Sequence, residues 1–217
     1  MKKLFTAIRK GDLKTVEALL SKDPALISCT AKQPPKKDAG QSPLQVAIKT
    51  GQLEIADFLL DRGADVNFME AEGCASPWRM PVLQDAITAA ILCSRWNTVG
   101  PGGSIEVFST QAQADRAYGL LDRIIGLGAD IACRDSFGNT CLERAILSAA
   151  QILPGFNHST KEIMNDRILT PELRSDLTRI FTLLFDAGAD RNALDRIQGK
   201  PLVQVYRDQP VGVFLNI

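Results

Sequence analysis

The chain of 217 residues carries one histidine, His158, in a polar stretch. A lone general base needs a nucleophile to serve, and none is recognisably partnered with it, so an exposed loop histidine is expected. One histidine also excludes by count a His-rich metal site. The run Gly100-Pro101-Gly102-Gly103-Ser104 looks superficially like a phosphate loop. It lacks the Gly-Lys-Ser/Thr that would follow and any strand before it, so it reads as a flexible loop. Cys133 and Cys141 flank a short segment and invite a redox role, but only Arg134 stands nearby to depress a thiol pKa. The five cysteines (Cys29, Cys74, Cys93, Cys133, Cys141) are odd in number and form no Cys-x-x-Cys pair. They read as reduced packing thiols of a cytoplasmic protein. Nothing has metal-ligand spacing, so no catalytic residue, metal or cofactor is expected.

Composition narrows the classes further. Lys+Arg and Asp+Glu are 25 each, so the net charge is zero and a nucleic-acid partner is not expected. The apolar fraction of 45% and charged fraction of 23% are ordinary for a folded domain. No apolar run approaches the roughly 18 residues of a membrane span, and no membrane partner is expected. Leu4 to Ile8 is too short for a signal-peptide core before Arg9, Lys10 and Asp12.

The elements that must position any functional residue come from an internal repeat. Residues 40–67 contain Ser42-Pro43-Leu44-Gln45-Val46-Ala47, then Gly51, Leu59-Leu60 and Gly63-Ala64-Asp65-Val66-Asn67. This run resembles the ankyrin repeat, where Thr-Pro-Leu-His-x-Ala opens the first of two helices. Ser42 and Thr140 suit helix caps, and Pro43 suits a first turn. Gly51 suits a left-handed stop between the helices. Ile55, Phe58 and Leu59 give the second helix a buried stripe.

Other copies stay in phase. Copy one has Ala7, Gly11 and Leu19-Leu20, with Asp23-Pro24 in place of Gly-Ala. Copy three runs from Pro81, Leu83 and Ala86 and resumes at Ile124-Ile125 and Gly128-Ala129-Asp130. Copy four runs from Asp135 through Thr140-Cys141-Leu142 and Ala145 and resumes at Leu184-Phe185 and Gly188-Ala189-Asp190. A partial fifth holds Gly199-Lys200-Pro201-Leu202. The Asp after Gly-Ala recurs at Asp65, Asp130 and Asp190, which argues for a role in the finger that follows each helix pair rather than for acid–base work. The resemblance implies an all-α solenoid forming one domain of about four helix pairs plus a partial C-terminal repeat. The repeats span approximately 1–37, 38–69, 70–134, 135–194 and 195–217.

Insertions of 26 and 27 residues separate the helices of copies three and four, since Ala86 to Ile125 and Ala145 to Phe185 far exceed Ala47 to Leu60. They cover approximately 92–115 and 151–172. The glycine that ends the first helix becomes Ala90 and Ala149, and alanine favours helix by about 1 kcal/mol. The first helices are therefore predicted to run on to about Trp96 and Leu153. The second should start near Gln111 and Pro171. Adjacent insertions are expected to pack together, with Trp96 buttressing both. The apolar end from Val211 to Ile217 is expected to fold back over the last repeat.

What the resemblance implies about function is a non-enzymatic scaffold that binds another protein through its concave surface of finger tips and first-helix faces. Matched position by position, that surface holds Arg9, Lys10, Lys49, Thr50, Arg62, Met69, Thr88, Arg134, Ser136, Phe137, Asn139 and Leu147. Trp78, in an enlarged finger at 73–80, joins them as a candidate anchor. Basic, aromatic and Met residues together suit an interface. Residues 1–37 carry nine basic side chains against three acidic, a solubilising cap that could also steer an acidic segment. The alternative is an enzyme or small-molecule-binding protein with its site between the two insertions.

Overall fold

The computed structural model describes residues 1–32, 35, 38–72, 74 and 78–216. The lysines at 36 and 37 and most of the enlarged finger at 73–77 lie outside the described residues, as does Ile217. Eight helices make up most of the fold: α1 Lys2–Lys10, α2 Leu13–Lys22, α3 Pro43–Lys49, α4 Leu53–Asp61, α5 Val82–Leu92, α6 Gln111–Gly126, α7 Cys141–Ala149 and α8 Pro171–Asp186. A short α9, Leu202–Val205, follows.

Caps set most boundaries. Ser42 accepts from the Gln45 N–H while the Gln45 side chain accepts from the Ser42 N–H, and Thr140 and Glu143 repeat this box on α7. Thr110 and Gln113 form it again on α6, and Thr170 caps α8. Gly11 and Gly51 adopt φ of 70° and 71°, so each turns the chain into the next helix without strain.

α1, α3, α5 and α7 pack in sequence, and α2, α4, α6 and α8 form a second row behind them. One apolar core runs from Leu4 to Leu215 between the rows. Leu4, Leu44, Leu83, Leu142 and Leu202 are each at most 1% exposed, so they occupy matching depths in successive layers. Ala7, Ala47, Ala86 and Ala145 are buried one turn on, where a small side chain lets helices approach. Arg123 ties α6 to α4 through Asp57 (2.9 Å) and Asp61.

The all-α expectation needs correction. Two short antiparallel hairpins interrupt the helices: β1 Asn97–Val99 with β2 Ile105–Val107, and β3 Phe156–Asn157 with β4 Glu162–Ile163. In the first, Gly100 N–H bonds Ser104 O and Phe108 N–H bonds Trp96 O. By that alternation Ile105 and Val107 turn their backbone groups away from β1, and all three β2 residues are exposed.

The helix extension is also corrected. α6 and α8 start at Gln111 and Pro171, but α5 ends at Leu92 and α7 at Ala149. Alanine's propensity loses to tertiary contact in α5: the Arg95 N–H donates 3.0 Å to Asp176 of α8, not to a carbonyl one turn back. After α7, Leu153 N–H still reaches Ala149 O at 2.9 Å, but Pro154 has no N–H to continue.

The segments between α5 and α6 and between α7 and α8 pack on each other. The Asn97 amide donates to Ile168 O (2.8 Å) and accepts from Ile168 N–H (2.9 Å), and Val99 N–H donates to Asp166 O (2.9 Å). Trp96 does less than expected, stacking on Phe108 of its own hairpin at 4.2 Å. The C-terminal end folds back: Phe214 stacks on Phe181 at 5.6 Å, with Val211 and Leu215 buried beside it.

Candidate functional site: the finger tips and inner helices

Each recurring aspartate builds its finger. The carboxylates of Asp65, Asp130 and Asp190 accept from the N–H two residues on, in Asn67, Ala132 and Asn192, at 2.8, 2.9 and 2.8 Å. Such turns need the short acceptor chain of Asp or Asn. Asn67 then links two fingers, donating to Gly128 O and accepting from Asp130 N–H.

Asp135 organises the third tip. One oxygen accepts from Phe137 and Asn139 N–H, both at 2.9 Å. The other accepts from the Asn139 amide (2.8 Å), Arg144 (2.6 Å) and the Trp78 indole N–H (3.3 Å). Burial pushes this carboxyl up, and the donors outweigh it, leaving it below its ordinary value. The Arg144 guanidinium lies 4.8 Å from the Trp78 ring centre, and Trp78 meets Phe137 edge to face at 5.9 Å. Both rings stay about half exposed, Trp78 at 46% and Phe137 at 48%. Ser136 exchanges two 3.0 Å bonds with the backbone of Arg79.

A second cluster joins α3 to α5 and to the finger between α4 and α5. Lys49 Nζ sits 3.6 Å from Glu70 and 3.4 Å from Asp85, two carboxylates that are only 1% exposed. Glu70 also accepts from Met80 N–H at 3.1 Å, and Gln45 donates to Met80 O and Asp85. Burial raises Asp85 to about 7; Lys49 opposes that shift and Glu70 adds to it.

The structure thus brings Trp78, Ser136, Phe137 and Asn139 together. It places Thr88 3.2 Å from Ser148, next to exposed Leu147. Arg134 is exposed, with its guanidinium folded onto Gly138 O at 2.7 Å. Met69 is half-buried and Lys10 exposed. Other candidates serve the fold: Arg9 pairs with Asp38 at 2.6 Å, Thr50 bonds Val46 O, and Arg62 stacks over Phe58 of α4. His158 is an exposed loop residue set edge-on to Phe156.

Sequence reasoning missed two fully buried glutamines. Gln45 and Gln84 each reach forward to the next finger, Gln84 bonding Asn139 O at 2.9 Å. The signal was present as a repeated Leu-Gln at 44–45 and 83–84. The Cys133 and Cys141 thiols lie 3.5 Å apart. Among the described residues, no cluster of three or more His, Cys, Asp or Glu could hold a metal ion, and no helix is long and apolar enough to cross a membrane.

No curated protein matches the chain. A family model described as ankyrin repeats (3 copies) matches residues 2–70. That match includes the Ser42 cap and the Asp65 finger, and it supports an ankyrin repeat protein.

Proposed function

We propose that the chain is a non-enzymatic scaffold that binds another protein through its finger tips and the exposed faces of α3, α5 and α7. Ankyrin repeats are in general protein–protein interaction modules. In this reading the helix pairs are four successive repeats with a partial fifth, and the segments near 92–115 and 151–172 are insertions into repeats three and four. A cytoplasmic setting belongs to the same proposal.

The observation that carries it is the Trp78–Phe137 pair. Two large rings stay half exposed although Asp135 and Arg144 hold them from behind. A ring already immobilised loses little entropy on binding, which suits an anchor. Arg134 and Leu147 extend the surface. Lys49 is a weaker candidate, since Glu70 and Asp85 already claim its charge.

The test replaces Trp78, Arg134, Phe137 and Leu147 together with alanine and compares partners captured from a lysate with those of the wild-type chain. Loss of captured proteins with an unchanged helical spectrum supports the reading. An unchanged partner set on a folded variant removes it.

A further inference from the structure

We propose that Cys133 and Cys141 form a dithiol that a peroxide closes into an intramolecular disulfide across the base of the third finger. The finger's own register places them. Asp135 N–H bonds Asn139 O at 3.1 Å, which sets 135 opposite 139. Two residues further out on each arm, the same register sets Cys133 opposite Cys141, and the sulfurs are 3.5 Å apart. Gln84 holds both arms by donating to Cys133 O and Asn139 O. The gap to a disulfide of about 2.05 Å is under 2 Å, a closure within reach of small torsional changes. The repeat itself does not demand sulfur here. Aligned on Gly-Ala-Asp and on the buried leucines, the equivalent pairs are Phe68 with Val82 and Ala193 with Pro201.

The two thiols are unequal. Cys133 is half-buried and Cys141 fully buried. The hydrogen bond with Cys141 lowers the Cys133 pKa, against burial and the nearby carboxylates of Asp130 and Asp135. Cys141 is raised, first by that same bond and then by burial. Cys133 is thus the more readily ionised and the more exposed of the two, the one that meets oxidant. Its sulfur attacks one peroxide oxygen, the O–O bond breaks, and the leaving hydroxide takes up a proton to become water. Cys133 is left as a sulfenic acid. The Cys141 sulfur then attacks the Cys133 sulfur, the S–O bond breaks, and water leaves with the Cys141 proton. Two thiols lose two electrons, and one hydrogen peroxide becomes two waters.

The experiment treats the reduced full chain with hydrogen peroxide, blocks remaining thiols by alkylation and maps non-reduced peptides by mass spectrometry. A Cys133–Cys141 linkage, reversed by dithiothreitol, is expected, with the other cysteines alkylated. In Cys141→Ser the sulfenic acid at Cys133 has no partner and is trapped by a cyclic 1,3-diketone; in Cys133→Ser no adduct forms on either position. Alkylation of both Cys133 and Cys141 after peroxide, or linkage of either to a different cysteine, overturns the proposal. The wild-type map decides the matter even if a serine variant fails to fold.

Discussion

Arg95 grips Asp176 at three points: its own N–H and Nε meet one carboxylate oxygen at 3.0 and 2.9 Å, and Nη2 meets the other at 2.9 Å. The contact joins the segment after α5 to α8, where Asp176 is 1% exposed. Arg95→Ala removes both guanidinium contacts and leaves the buried carboxylate with the backbone N–H of residue 95 and with Arg179, 3.2 Å away. Removing one partner of such a pair costs about 3 kcal/mol. Urea unfolding of the variant checks this, and a loss under about 1 kcal/mol would show the grip to be idle.

Leu44, Leu83 and Leu142 lie at equal depth in three layers, so alanine at each should destabilise by a similar amount, about 2–5 kcal/mol. Ile105→Ala, on an exposed strand, should change stability by no more than about 0.5 kcal/mol. Chemical denaturation of the four variants separates the layers from the hairpin. Three unequal leucine losses would break the equivalence.

Asp85 predicts a slope with pH. It faces Lys49, Glu70 and Gln45, and its pKa rises from 3.8 to about 7 on folding. The native state holds this proton more tightly than the unfolded chain, so its contribution to stability falls as pH rises through that window. At about 1.4 kcal/mol per pH unit, the total reaches a few kcal/mol. Asp85→Asn cannot titrate. The stability of the variant relative to wild type should therefore climb between pH 4 and 7, measured by urea unfolding at several pH values. Parallel curves would refute it.

Trp78 and Phe137 touch edge to face, a geometry worth about 1 kcal/mol beyond area burial. A double-mutant cycle with Trp78→Ala and Phe137→Ala on stability should return a coupling of that order. Additive effects would mean the two fingers are not joined by their rings.

The repeated layers were legible because the motif fixes cap, stop and buried leucine at constant spacing, as at Ser42, Leu44, Gly51 and Asp65. The starts of α6 and α8 were legible for the same reason: Thr110 and Thr170 are local signals. The hairpins were not, since strands of three and two residues are too short to show an alternating pattern. Arg95 stopping α5 was equally hidden, because its partner Asp176 lies 81 positions away. At the site, Phe137 was visible as an odd aromatic in a finger. Lys49 looked like a free lysine because Glu70 and Asp85 lie beyond α4, far along the chain. Arg134 was the wrong neighbour to credit for the Cys133 thiol; Cys141, across the finger, is what lowers it.

The free side of β2 has a consequence for how molecules meet. Ile105 and Val107 offer greasy side chains and backbone groups that meet no backbone partner among the described residues, the makings of edge-to-edge polymerisation. Glu106 sits between them. Two copies zipping together about a twofold axis there would set one glutamate directly against another, and like charges so opposed repel. A single acidic residue in mid-strand thus disfavours that pairing between identical chains.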